Sequence, residues 1–69
     1  MGEKLRITLE AARVNAGMVQ KEVCEKMGIS IATLCNWESG KTFPSVDKAQ
    51  ELVALYGVRL DDINFYTKT

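Results

Sequence analysis

The apolar residues of this chain recur three or four positions apart, and no stretch shows the two-residue alternation typical of a strand. Glycines interrupt these apolar stripes at near-regular intervals, and a glycine with a positive φ commonly ends a helix. The interrupting residues are Gly17, Gly28, Gly40 and Gly57. The pattern therefore predicts a series of short helices separated by glycine turns.

Five helical segments are predicted from this punctuation, and they make the expected fold all-α. They cover about residues 3–16, 20–27, 30–38, 46–56 and 60–64. The breaks between them are short, so we predict one compact domain over residues 1–69 with a loose tail at 65–69. Ser30 and Ser45 precede the third and fourth helices, where a hydroxyl can accept a hydrogen bond from a first-turn N–H group.

The inward faces of these helices define a predicted hydrophobic core. Successive residues of an α-helix are rotated by about 100°, and this step places a set of apolar side chains on the inward faces. The set is Leu9, Ala12, Val23, Met27, Ile29, Leu34, Trp37, Leu52, Val53 and Leu60.

The third predicted helix carries a carboxylate on the side that should face the core. When Leu34 is taken as the inward direction, Glu38 lies on the same side of the helix. A partly buried carboxylate needs a charged partner. Arg13 lies at the edge of the apolar stripe of the first helix, so we predict an ion pair between Arg13 and Glu38.

The opposite face of this helix is small and uncharged, with Ala32 and Asn36 at its centre. Such a face suits close approach to another surface, although an ordinary exposed helix face remains an alternative interpretation. Only Gly28, Ile29 and at most Ser30 separate this helix from the preceding one. A turn this short makes the two helices cross steeply, as in a helix-turn-helix unit.

Composition and charge exclude several classes of protein. Nine basic and nine acidic residues give a net charge of zero, which removes the simplest argument for a nucleic-acid partner. The chain has no histidine, so Cys24 and Cys35 cannot complete a structural zinc site and no metal or cofactor is expected. No pairing of a nucleophile with a base is visible, so we do not expect an enzyme. Two reduced thiols and the lack of an apolar run near ~18 residues are typical of a cytoplasmic protein.

The residues also match a known family over most of the chain. The matching features are R-x-x-x-G-M-V-Q at 13–20, QKEVCEKMGIS at 20–30, TLCNWESGK at 33–41, Pro44, and LVALYGVRLDDI at 52–63. Residues 7–63 thereby resemble the Cro/CI-type (XRE-like) helix-turn-helix domain of phage repressors and bacterial transcriptional regulators. The resemblance implies a lambda-repressor-like DNA-binding domain of five helices, with its helix-turn-helix motif at 20–39.

The resemblance assigns roles to individual residues. Gln20 matches a residue that reaches a DNA phosphate, and the following positions match the recognition helix and the phosphate-gripping loop behind it. The implied DNA-binding set is Gln20, Ile31, Ala32, Thr33, Cys35, Asn36, Ser39, Lys41 and Thr42. The loop is expected to hold phosphates partly through backbone N–H groups. Arg13 and Glu38 match a structural ion pair, which agrees with the pair predicted from the helical wheel.

Two positions depart from the family pattern. Position 31 is often polar or basic in the family and is Ile31 here, and Cys24 stands where a small alanine is usual. Ile31 and Ala32 can contact thymine methyl groups, and Asn36 can pair with adenine or with a phosphate. We therefore expect recognition weighted toward A·T steps, and modest non-specific affinity because few phosphates are neutralised.

Two hypotheses about function follow. The first is a sequence-specific regulator of transcription that binds double-stranded DNA, of phage- or prophage-repressor type, without a small-molecule effector. The second is an antitoxin-like or antirepressor-like protein-interaction module with weak DNA affinity. Because one recognition helix reads only about four to six base pairs, the first hypothesis predicts a weak homodimer on a two-fold symmetric operator. The predicted dimer patch is the C-terminal edge, formed by Tyr56, Val58, Ile63, Phe65 and Tyr66.

Overall fold

The computed structural model describes residues 7–65, and within that range it contains four α-helices. The helices are α1 (Leu9–Asn15), α2 (Gln20–Met27), α3 (Ile31–Ser39) and α4 (Val46–Tyr56). A 3₁₀ turn (Leu60–Asp62) follows α4. Two very short strands, β1 (Ile7–Thr8) and β2 (Ile63–Asn64), pair in parallel.

Side-chain caps begin three of the helices. The hydroxyls of Thr8, Ser30 and Ser45 accept hydrogen bonds from backbone N–H groups three residues later, at 3.0, 3.1 and 3.3 Å. Each such bond satisfies a helix N–H group that has no partner within its own helix. The two serine caps were predicted from the sequence and are confirmed, whereas the Thr8 cap was not predicted.

The core lies where the four helices meet, and Leu9, Val23, Leu34 and Leu52 are its most deeply buried side chains. The predicted core is confirmed for every member except Ile29 and Leu60. Ile29 is partly buried against the core. Leu60 was expected inside, but it is 39% exposed.

The exposure of Leu60 has a geometric cause. The prediction assumed an α-helical turn over 60–64, whereas the chain forms a 3₁₀ turn and then an extended strand. A 3₁₀ turn has about 3.0 residues per turn instead of 3.6, so its side chains point in other directions. Ile63 occupies the buried position in this segment instead.

The predicted five-helix count is therefore wrong, since the described residues hold four α-helices. The first helix was predicted to begin near residue 3, but α1 begins at Leu9 because Ile7 and Thr8 are extended and pair with Ile63 and Asn64. Strands of two residues are too short to show an alternating pattern. The predicted helix over residues 3–6 and the tail beyond residue 65 lie outside the described residues.

No helix between residues 7 and 65 combines the length and the apolar character that crossing a membrane requires.

Candidate nucleic-acid interface

Helices α2 and α3 form a helix-turn-helix unit. Gly28 ends α2 with φ 71° and ψ 36°, a left-handed conformation that a side chain would strain. The N–H groups of Gly28 and Ile29 both donate to the carbonyl of Cys24, at 2.8 and 3.1 Å, which closes the end of α2. The turn is then complete at Ser30, the N-cap of α3, so α3 leaves the corner in a new direction.

One face of α3 is buried and the other is accessible. Leu34, Trp37 and Glu38 lie in the interior, as the helical wheel predicted. On the other side, Ile31 is 45% exposed, Ala32 and Cys35 are exposed, and Thr33 and Asn36 are half-buried. Each of the five residues predicted to face DNA from this helix therefore keeps some accessible surface.

An ion pair holds the inward carboxylate of α3. The Arg13 Nε group donates a hydrogen bond to Glu38 Oε2 at 2.7 Å, and the two side chains are only 11% and 6% exposed. Arg13 Nη1 also donates to the carbonyl of Met18 at 2.9 Å. The hydrogen bond to Glu38 raises the pKa of Arg13, so the guanidinium stays charged. The structure thus brings together the two residues of the predicted pair, and the carboxylate adds no free negative charge to the accessible face.

Gln20 is also bound to this carboxylate. Gln20 Nε2 donates to Glu38 Oε1 at 3.0 Å and to Cys35 Sγ at 3.4 Å. The family resemblance implies a phosphate contact for Gln20, but neither of these bonds was predicted. The sequence carried no signal for them, because they depend on how α2 lies against α3.

The loop after α3 uses its backbone to cap that helix. The N–H groups of Lys41 and Thr42 both donate to the carbonyl of Asn36, at 2.9 and 3.3 Å, and the Ser39 hydroxyl donates to the same carbonyl at 3.2 Å. The C-terminal cap of α3 therefore uses the N–H groups of Lys41 and Thr42, whereas the expectation that this loop holds phosphates stays a prediction. The Lys41 side chain is exposed and remains accessible.

The predicted dimer patch is wrong for two of its members, Tyr56 and Ile63. Tyr56 and Ile63 are buried in the core, Val58 and Phe65 are partly buried against it, and Tyr66 lies outside the described residues. Both residues were assigned to an outer edge, but Tyr56 lies on the inward face of α4. Ile63 lies in β2 and pairs with Ile7 of β1. Burial raises the pKa of Tyr56 to about 12, and its hydroxyl has no hydrogen-bond partner within residues 7–65.

Phe65 of this patch lines a groove between the α3–α4 loop and the C-terminal segment, together with apolar residues that the predicted patch did not include. Phe43 is 50% exposed and Val46 is 68% exposed. The groove, which we call the apolar groove, is lined by Phe43, Pro44, Val46, Ala49, Leu60 and Phe65.

The two cysteines are free thiols with different environments. Cys24 is buried and Cys35 is exposed on the accessible side of α3. Burial raises the pKa of the Cys24 thiol, because a thiolate is poorly solvated in the core.

Comparison with known proteins agrees with this geometry. The sequence profile of the helix-turn-helix family matches residues 9–63. The chain is 31% identical, over 84% of its length and 88% of the relative, to an uncharacterised HTH-type transcriptional regulator of Methanocaldococcus jannaschii. It is 29% identical, over 86% of its length and 84% of the relative, to an uncharacterised HTH-type transcriptional regulator of Archaeoglobus fulgidus. No solved structure matches the chain significantly.

The chain therefore belongs to the XRE-type helix-turn-helix family. This family is a class of DNA-binding transcriptional regulator domains and not a class of enzymes.

Proposed function

We propose that this protein is a sequence-specific transcriptional regulator of phage- or prophage-repressor type that places α3 in the major groove of double-stranded DNA. The observation that carries the proposal is the accessible side of α3. Its one acidic residue, Glu38, is paired with Arg13 in the interior, so the residues left outside are uncharged, and only Ile31 among them is large and apolar. A phosphate backbone can approach such a face without repulsion.

The proposed roles follow from side-chain chemistry and position. Ile31 and Ala32 contact thymine methyl groups, and Asn36 pairs with adenine. Thr33 and Cys35 flank these residues, keep accessible surface and border the bases. The remaining members of the proposed site lie at the start of α2 and at the C-terminal end of α3, where they contact the phosphate backbone and set the register of the helix. These members are Gln20, Ser39, Lys41 and Thr42.

We also propose that two copies bind together through the apolar groove. A single α3 reads about four to six base pairs, which is too few for a unique site, and related proteins solve this with two-fold dimers. The groove begins at Phe43, two residues beyond Lys41, and so borders the loop that faces DNA. A second copy packed there would lie beside the same duplex. We expect a weak homodimer that DNA stabilises, because one duplex brings the two copies together.

Selection of bound sequences from a random DNA pool, followed by a salt titration on the selected site, tests the proposal. We expect a two-fold symmetric, A·T-weighted site and an affinity that falls steeply as salt increases. Failure to bind any duplex at low salt would contradict the proposal. It would favour the alternative of an antitoxin-like or antirepressor-like interaction module, for which the exposed Ile31 would be part of a protein-binding face.

A further inference from the structure

The side-chain amide of Gln20 has a defined orientation. A carboxylate paired with a guanidinium accepts hydrogen bonds but donates none, so the atom of Gln20 that faces Glu38 Oε1 at 3.0 Å must be the nitrogen. The opposite orientation would put two acceptor oxygens against each other. Glu38 therefore decides which end of the Gln20 amide points into the protein and which end points out.

The second proton of this amide has only a weak acceptor. Gln20 Nε2 carries two protons. It donates one to Glu38 Oε1 and the other to Cys35 Sγ, at a distance of 3.4 Å from the sulfur. A thiol sulfur is a weak acceptor, whereas a phosphate oxygen forms a shorter and stronger charge-assisted bond. Cys35 is exposed, so the Gln20 proton that is donated to its sulfur is also accessible to a ligand that approaches α3.

We propose that Glu38 is a positioning residue for a phosphate contact made by Gln20. In this arrangement a phosphate oxygen of DNA takes the place of Cys35 Sγ as acceptor of the second amide proton, while the bond from Gln20 to Glu38 is kept. The side chain is ordered before DNA arrives, so binding does not have to order it. The buried ion pair does not contact DNA itself, but it increases affinity for DNA because Glu38 orients the Gln20 amide. This inference rests on the proposed function, since it requires DNA along the accessible side of α3.

A double-mutant cycle tests the proposal, with affinity for the selected DNA site as the measured quantity. Gln20→Ala removes the proposed donor, and Glu38→Gln removes the carboxylate at nearly constant size. We expect Glu38→Gln to weaken binding about tenfold when Gln20 is present, because Arg13 occupies the one acceptor oxygen left at position 38 and the Gln20 amide loses its charged acceptor. We expect it to change affinity less than about twofold when Gln20 is already replaced. An equal loss in both backgrounds would mean a merely structural role and would overturn the proposal.

Charge provides a second readout and a matched control. Gln20 is neutral, so Gln20→Ala should weaken binding without changing the dependence of affinity on salt. Glu51→Gln changes the net charge by the same unit as Glu38→Gln and breaks an exposed pair, Lys48 Nζ to Glu51 Oε1 at 3.7 Å. It should alter affinity by less than about twofold. A loss of affinity in Glu51→Gln as large as that in Glu38→Gln would show that net charge, and not the Gln20 amide, is responsible.

The wild-type chain allows a test that does not depend on a folded variant. The two side-chain amide protons of Gln20 can be followed separately by NMR during titration with the selected duplex. We expect the resonance of the Gln20 proton that is donated to Cys35 Sγ to shift strongly. The resonance of the Gln20 proton that is donated to Glu38 should shift little. Equal shifts of both, or a shift of neither while α3 backbone signals move, would overturn this inference and leave the proposed function intact. Unchanged α3 signals at saturating DNA would contradict the proposed function itself.

Discussion

Arg13 Nε and Glu38 Oε2 lie 2.7 Å apart in the interior, where they join the end of α1 to the last turn of α3. The two residues are twenty-five positions apart in sequence. Their contact ties α1 to α3, and it keeps the charge of Glu38 away from the accessible face of α3.

Removing either partner of this pair should destabilise the fold strongly. Arg13→Ala or Glu38→Ala leaves one uncompensated buried charge, which typically costs about 3–5 kcal/mol, compared with ~0–1 kcal/mol for a surface pair. Urea unfolding of each variant measures the loss in free energy of unfolding. A double variant, Arg13→Met with Glu38→Met, should recover much of it because no charge is then stranded. Independent, additive losses in a double-mutant cycle would contradict the predicted coupling.

Leu34 should be among the most costly residues to truncate. Its side chain is fully buried, so Leu34→Ala leaves a cavity and should lower the free energy of unfolding by ~2–5 kcal/mol. Leu60→Ala is the matched control: the same change at a residue that is 39% exposed should cost clearly less. Chemical denaturation compares the two. A loss below ~0.5 kcal/mol for Leu34→Ala would show that this residue does not lie in the core.

The two thiols should react at very different rates. Cys35 is exposed, whereas Cys24 is buried and its raised pKa leaves less of the reactive thiolate at a given pH. Labelling with a thiol reagent under native conditions should modify Cys35 first, and the selected DNA should protect it. In denaturant both thiols should react alike, which serves as the control. Equal rates in the native protein would contradict the placement of α2 against α3.

Lys41 and Asn36 should contribute to binding in different ways. Lys41→Ala removes a phosphate contact, so it should weaken binding about equally on all sequences and flatten the salt dependence by about one unit. Asn36→Ala removes a base contact, so it should cost ~1–3 kcal/mol mainly on the preferred site. Affinity measured at several salt concentrations, on the selected and a scrambled duplex, separates the two effects. Unchanged binding in both variants would mean that α3 is not the recognition helix.

A charge in the apolar groove should prevent pairing of two copies. Phe43→Asp places a carboxylate on a half-exposed ring position of the groove, where a second copy would bury it at high cost. Analytical ultracentrifugation with and without DNA should show loss of the dimer, and footprinting should show weaker protection of the full site. Val14→Asp is the control, because Val14 is also exposed but lies outside the groove. A monomeric wild-type protein that protects one half-site would contradict the dimer.

Much of the helical framework can be predicted from the sequence because its signals act over three or four residues. Ser30 and Ser45 cap the helices that follow them, and Gly28 ends α2 in a left-handed conformation that other residues avoid. Helical periodicity also placed Leu34 inside and brought Glu38 toward Arg13. These inferences need only the geometry of one helix and the cost of burying an unpaired charge.

Other features depend on residues that are distant in sequence, so only the tertiary structure decides them. The pairing of Ile7 with Ile63 shortens the first helix, and the 3₁₀ turn that precedes Ile63 leaves Leu60 exposed. Likewise, the Gln20 amide can donate hydrogen bonds to Glu38 and Cys35 only because of the way α2 packs against α3. Local propensity determines where a helix begins and ends, whereas the position of one element against another depends on packing and hydrogen bonding across the whole domain.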